Sequence, residues 1–217
     1  MKKMTSHLLA FALCALTAVV AQAAPGDPRE GVDYVRVSPP QAQSQPGVEV
    51  IEFFSYGCPH CNAAEPLLTK WRATLAKDVR FRRVPVSFGR PQWAALAKLY
   101  LALDSTGDLA RLDGEVFGAI HVNNLPLPDE KAIVEWAAPK TADAKKFTDM
   151  YRSFDVQTRA TRADQTGAAY KITGVPAIAV AGRYMVVATQ AKSFDELLQV
   201  ASRVIDMARR EGKSPAN

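Results

Sequence analysis

Hydrophobic positions change period several times along this chain, and each change marks an element. Val48 to Ser55 (Val-Glu-Val-Ile-Glu-Phe-Phe-Ser) is apolar with little alternation. That is the pattern of a strand covered on both faces, which predicts a parallel, central position in a sheet. Tyr34-Val35-Arg36-Val37 alternates instead and predicts an edge strand. The Pro- and Gly-rich stretch 24–33 and the segment 38–47 read as loops. After residue 58 the period becomes helical, with Ala64, Leu67, Leu68, Trp71 and Leu75 on one face and a kink expected at Pro66. Val79 to Val86 reads as a second strand.

From Gly89 to Lys171 only helical spacing is visible. Pro91 opens a helix through Trp93, Leu96, Leu99, Tyr100 and Leu103. Further helices are predicted near Asp108–Ile120, Asp129–Trp136, Ala142–Ser153 and Asp155–Tyr170. Strand signals return at Ala177–Val180 and Tyr184–Val187, a hairpin around Ala181-Gly182-Arg183. Ser193-Phe194-Asp195-Glu196 is a capping box for a last helix with Leu197, Leu198, Ala201, Val204, Ile205 and Ala208 on one face, and Gly212 is expected to stop it. The order is that of an α/β protein, a thioredoxin fold with an all-helical domain inserted in its middle. The thioredoxin-like domain is discontinuous, 34–88 and 171–212, and the insert is 89–170.

The N-terminus changes the setting. A basic start with Lys2 and Lys3, an apolar block over residues 8–21 and Ala21-Gln22-Ala23 make residues 1–23 a secretory signal peptide, with cleavage expected after Ala23. The block is shorter than the roughly 20 residues of a spanning helix. The mature chain then works in the periplasm, where disulfides persist. Net charge is +5, and +3 without Lys2 and Lys3. No dense basic run of the nucleic-acid type is present, and Arg80, Arg82, Arg83, Arg159 and Arg162 read as solvated faces.

Cysteine is scarce. Cys14 lies in the signal segment, so the mature chain keeps only Cys58 and Cys61, in Cys58-Pro59-His60-Cys61. A strand running into Cys-x-x-Cys at a helix start is the layout of a redox dithiol. Pro59 fits the first helical position, because its missing N–H has no partner there. The free N–H groups of that turn, the helix dipole and His60 all favour a thiolate at Cys58. Cys61, one turn in, is expected to be more buried and to act as the resolving thiol. An acidic Cys58 stabilises the reduced form and leaves readily, so the disulfide is an oxidant.

Other readings of the pair are weaker. As a structural staple, so short a loop constrains little chain. A closed metal site lacks donors, since the histidines are His7, His60 and His121 and the first lies in the signal segment. No cofactor is implied. Glu52, inside Val-Ile-Glu-Phe-Phe, is costly unless paired or protonated. It reads either as an exposed strand position or lysine ion pair, or as a buried acid exchanging protons with Cys61. Glu65 is a weaker candidate, a solvated helix position by default. Pro176, in Thr173-Gly174-Val175-Pro176-Ala177, precedes a strand, where proline is tolerated.

Phe53-Phe54-Ser55-Tyr56-Gly57-Cys58-Pro59-His60-Cys61 together with Thr173-Gly174-Val175-Pro176-Ala177 resembles the DsbA family of periplasmic thiol:disulfide interchange proteins. The likeness covers roughly Tyr34 to Arg210. It implies a cis bond before Pro176 across from Cys58, contact of Val175 with substrate backbone, and Glu52 as the buried acid. It also implies an acidic thiol, a strongly oxidising disulfide, and reoxidation by a DsbB-like quinone-linked membrane oxidase. The expected activity is a monomeric dithiol oxidase acting on exported polypeptides with free thiols. The alternatives are a disulfide isomerase or reductase, and a chaperone-like peptide binder with a dispensable dithiol. Isomerases of this type usually carry an extra N-terminal dimerisation domain, for which residues 24–47 are too short.

Overall fold

The computed structural model describes residues 26–43, 45–127, 129–187 and 191–213. The signal segment and its cleavage site lie outside them. Strand β1 spans Tyr34–Arg36, β2 Val48–Phe54, helix α1 Pro59–Thr74 and β3 Val79–Pro85. Five helices follow: α2 Pro91–Thr106, α3 Leu109–His121, α4 Glu130–Ala137, α5 Ala144–Tyr151 and α6 Phe154–Ala169. A 3₁₀ turn, Ala138–Lys140, joins α4 to α5. The chain closes with β4 Ala177–Val180, β5 Tyr184–Val186 and α7 Phe194–Lys213.

The sheet order is β1-β5-β4-β2-β3. The run Val48–Phe54 is buried at every position and sits inside the sheet, as its composition demands. It is parallel to β3 but antiparallel to β4, so the expectation of a parallel surrounding holds on one side only. The reason lies in the connections. The short α1 crossover returns β3 in the direction of β2, whereas β4 arrives from the helical segment and turns straight into β5.

Period-2 alternation divides β2 between two layers. Ile51 and Phe53 pack with Val84, Val86, Ala163 and Tyr170 on the α6 side. Val48 and Val50 pack with Leu68, Trp71, Leu197, Ala201 and Val204 between the sheet, α1 and α7. Phe54 belongs instead to the helical core, with Tyr100, Leu103, Phe117 and Tyr151. Each such fully buried ring stabilises the fold by roughly 1.5–3 kcal/mol. The end of β2 thus joins the sheet to the helices, and the cysteine motif follows it immediately.

Several local predictions are refined. Helix α1 continues through Pro66 to Thr74. Ser193 Oγ accepts from Glu196 N–H at 3.1 Å, but Glu196 reaches back to the N–H of Lys192 rather than to that of Ser193. Gly212 lies within α7, which runs on to Lys213, so it is not the stop. At Gly182, with φ +66°, a side chain would meet the Gln41 carbonyl oxygen at 1.9 Å, and only glycine fits this turn.

Candidate functional site

Cys58 caps α1 with extended backbone, φ −93° and ψ 117°, and Pro59 takes the first helical position. Both sulfurs are free thiols and both residues are buried, Cys61 completely. His60 is exposed at the rim. The Cys58 thiol is lowered from about 9 to about 6. The largest cause is the hydrogen bond from the Cys61 thiol. Burial opposes it, and the N–H groups of Cys61 and His60 and the charge of His60 add to it. The same bond and burial raise Cys61 beyond the usual thiol range, with Glu52 adding repulsion. In the reduced protein Cys58 is therefore the ionised sulfur and Cys61 the proton carrier.

The second sequence-predicted segment meets the first here. The Val175–Pro176 bond is cis, and Cys58 Sγ lies 3.3 Å from the Val175 carbonyl oxygen, which accepts from the sulfur only while Cys58 is protonated. Val175 and Pro176 are half-buried just ahead of β4, which pairs with β2. A second cis bond, Ser38–Pro39, was not anticipated. Gly57 carries the chain past Trp93: a Cβ there would lie 2.5 Å from the indole nitrogen, so the close approach requires glycine.

Glu52 is fully buried, and its partner is an arginine rather than a lysine. Arg83 Nε donates to it at 2.7 Å, because the β2–β3 register sets Glu52 directly opposite Arg83. Reading Arg83 as solvated is thus corrected: its side chain is 4% exposed and its guanidinium lies 3.9 Å from the Phe54 ring centre. It serves three carboxylates. Asp113 accepts from Nη1 at 2.7 Å, and Glu65 Oε2 lies 2.9 Å from Nη2 but out of line for a hydrogen bond. Glu65 is likewise not a solvated residue; Arg72 and Thr69 bond its other oxygen. Burial works against the charge of Arg83, but Glu52, Asp113 and Glu65 hold it protonated above its ordinary range. Burial pushes Glu52 up to about 7, with Arg83 pulling it down and Glu65 pushing it further up.

A raised carboxyl binds its proton more tightly in the folded than in the unfolded chain. Glu52 therefore subtracts from stability as pH rises from about 4.5 to about 7. Glu52→Gln is expected to remove about 1–3 kcal/mol of that decline. Urea unfolding of the reduced protein across this window measures it, and a slope equal to that of the unsubstituted protein would contradict it.

The contacts that tie Tyr56, itself part of the motif, to Asp113 and His121 had no signal in the sequence. Tyr56 hydroxyl donates to Asp113 at 2.6 Å, and His121 Nε2–H donates to the Tyr56 carbonyl at 2.7 Å. Asp113 and His121 come from α3, more than fifty residues away in the chain. Their spacing of eight, two helical turns on one side of α3, was visible, but nothing local tied it to the motif.

The model of the DSBA-like thioredoxin domain matches residues 49–200. The thiol:disulfide interchange protein DsbA of Bordetella parapertussis is 38% identical over 208 residues, 94% of this chain and 97% of that protein. DsbA of Pseudomonas aeruginosa is 35% identical over 209 residues, 95% and 99% of the two chains. The crystal structure of the Pseudomonas aeruginosa protein superposes with a TM-score of 0.80 at 36% identity, covering 85% of this chain and 96% of the other. The oxidoreductase DsbA of Xylella fastidiosa gives 0.77 at 30% identity, covering 84% and 98%.

Proposed function

This chain belongs to the DsbA family of thioredoxin-fold proteins, and on that premise we propose that Cys58 and Cys61 carry its reaction. The protein is a thiol:disulfide oxidoreductase, a periplasmic dithiol oxidase. In the reaction we assign, a substrate thiolate attacks Cys58 Sγ of the Cys58–Cys61 disulfide. The S–S bond breaks and its electron pair goes to Cys61, which takes up a proton. The second substrate thiolate attacks the substrate sulfur of the mixed disulfide and expels Cys58 as a thiolate. The substrate leaves as a disulfide, two electrons poorer, and the enzyme as a dithiol.

The observation that carries this reading is the lowered Cys58 thiol beneath the Val175 carbonyl. A sulfur that ionises near 6 is a good leaving group, and its ionisation favours the reduced form. That advantage is complete above about pH 9 and is lost as pH falls through about 6. Glu52 is the buried acid whose charge acts on Cys61, and it supplies or removes the Cys61 proton. Pro59 fixes the helix start, His60 lines the rim, and Val175 and Pro176 form the wall against which substrate backbone lies. The helices between β3 and β4 form the inserted domain, residues 89–170. Exported, folding polypeptides with free thiols are the substrates, a DsbB-like quinone-linked membrane oxidase restores the disulfide, and the protein acts as a monomer after removal of residues 1–23.

The redox equilibrium of the Cys58–Cys61 pair with glutathione tests the oxidase reading. Expected is a pair that remains largely reduced at glutathione ratios that oxidise ordinary dithiols. A strongly reducing, thioredoxin-like equilibrium would sink it in favour of a reductase.

A further inference from the structure

We propose that Asp113, on α3, is a positioning residue for the redox centre: it binds Tyr56 and Arg83 together and so governs how the buried Glu52 carboxyl exchanges its proton. The catalytic consequence rests on the reading of Glu52 as the acid serving Cys61; the electrostatic claim does not.

Helix α3 grips the turn before Cys58 at both ends of one residue. Asp113 Oδ1 holds the Tyr56 hydroxyl and His121 holds the Tyr56 carbonyl. Tyr56 is buried between Phe54, Tyr100 and Phe117, with ring centres 4.9–6.1 Å away, and stands two residues before Cys58. The other oxygen of Asp113 takes Arg83 Nη1, while Nε of the same guanidinium serves Glu52. One planar fork thus links the helical segment to the acid beneath the dithiol.

The charged and titratable groups around Glu52 come from β3 and three helices. Arg83 comes from β3, Glu65, Arg72 and Cys61 from α1, Tyr100 from α2 and Asp113 from α3 by way of Arg83. The neighbour from β4 is the apolar Ile178. Glu52, Glu65 and Asp113 face two arginines, so full ionisation leaves one negative charge in excess. The excess proton falls to Glu52, which alone of the three is wholly out of water. Asp113 draws part of the Arg83 field away from Glu52. Neutralising Asp113 makes Glu52 the stronger acid.

The test is a pH titration of side-chain carboxyl ¹³C resonances in the reduced, uniformly labelled mature protein. Two carboxylates on one guanidinium lie within roughly 8 Å of each other. At that range one charge moves a neighbour by about one pH unit. Asp113→Asn keeps the size and an oxygen for Tyr56, and is expected to lower the Glu52 midpoint by about that much. Tyr56→Phe cuts the hydroxyl link but leaves the charge, and is expected to leave the midpoint in place. An unmoved midpoint in Asp113→Asn, or an equal shift in Tyr56→Phe, overturns the proposal. In the unsubstituted protein the Asp113 carboxyl resonance should respond at the Glu52 midpoint, and the absence of a response there also overturns it, whatever the variants do. The role of Glu52 is tested separately by the pH profile of Cys61 alkylation. If Glu52→Gln leaves that profile unchanged, the relay reading fails while the electrostatic coupling stands or falls on the titration.

Discussion

Cys58→Ser is expected to abolish dithiol oxidation, lowering the rate of disulfide formation in a reduced client by more than about a hundredfold, to the uncatalysed background. A serine hydroxyl is not ionised near neutral pH and forms no disulfide with Cys61. Both the electrophilic sulfur and the leaving group vanish together. Substitution at Cys61 is less informative, because a lone Cys58 still forms mixed disulfides. The assay is oxidation of a two-cysteine peptide by stoichiometric protein, followed by alkylation and mass measurement. It also separates the oxidase from a chaperone-like peptide binder, for which the dithiol is dispensable. Full retention of client-folding activity in Cys58→Ser would falsify the oxidase reading.

Arg83→Met should bring the largest loss of stability, about 3–5 kcal/mol at pH 7.5 in the reduced protein. Methionine matches the stem and packs on Phe54, so the loss reports the charge rather than a cavity. Without the guanidinium, Glu52 is buried with no cation bonded to it, Asp113 keeps the Tyr56 hydroxyl, and Glu65 keeps Arg72 and Thr69 as donors. Carboxyls in that position take up protons, which costs little in acid and increasingly more as pH rises. Much of the lost stability is therefore expected to return near pH 5. Urea unfolding at the two pH values checks both statements. A loss below about 1 kcal/mol, or the same loss at both, would show that the cluster is not held together by Arg83.

The contrast between these two positions shows how much could be read from the chain alone. Cys58 announces itself, since its chemistry is set by neighbours within four residues: the strand before it, Pro59 at the helix start, His60, and Cys61 one turn on. Hydrogen bonding along a helix start is local, so its sequence signature is local too. The strands, the helical stretch between β3 and β4 and the final helix were legible for the same reason, through periods of 2 and 3.6. Arg83 gave the opposite impression. In Val-Arg-Phe-Arg-Arg-Val-Pro it resembles Arg80 and Arg82, which keep to the rim of the sheet. Only the register of β2 on β3 brings Arg83, rather than Arg82, opposite Glu52, and a slip of one residue would exchange their faces.

By itself, then, the sequence determined the redox motif, the order of elements, the mixed α/β class and the oddity of a carboxylate in an apolar strand, all consequences of short-range covalent spacing. Tertiary structure decided what resolves that oddity. It placed Arg83 against Glu52 and Val175 over Cys58, and it brought Asp113 and His121 to the two ends of Tyr56. These contacts join residues 31 to 117 positions apart. Their partners are chosen by strand register and by how helices pack on a sheet, which burial of the whole core settles at once and no short stretch of chain encodes.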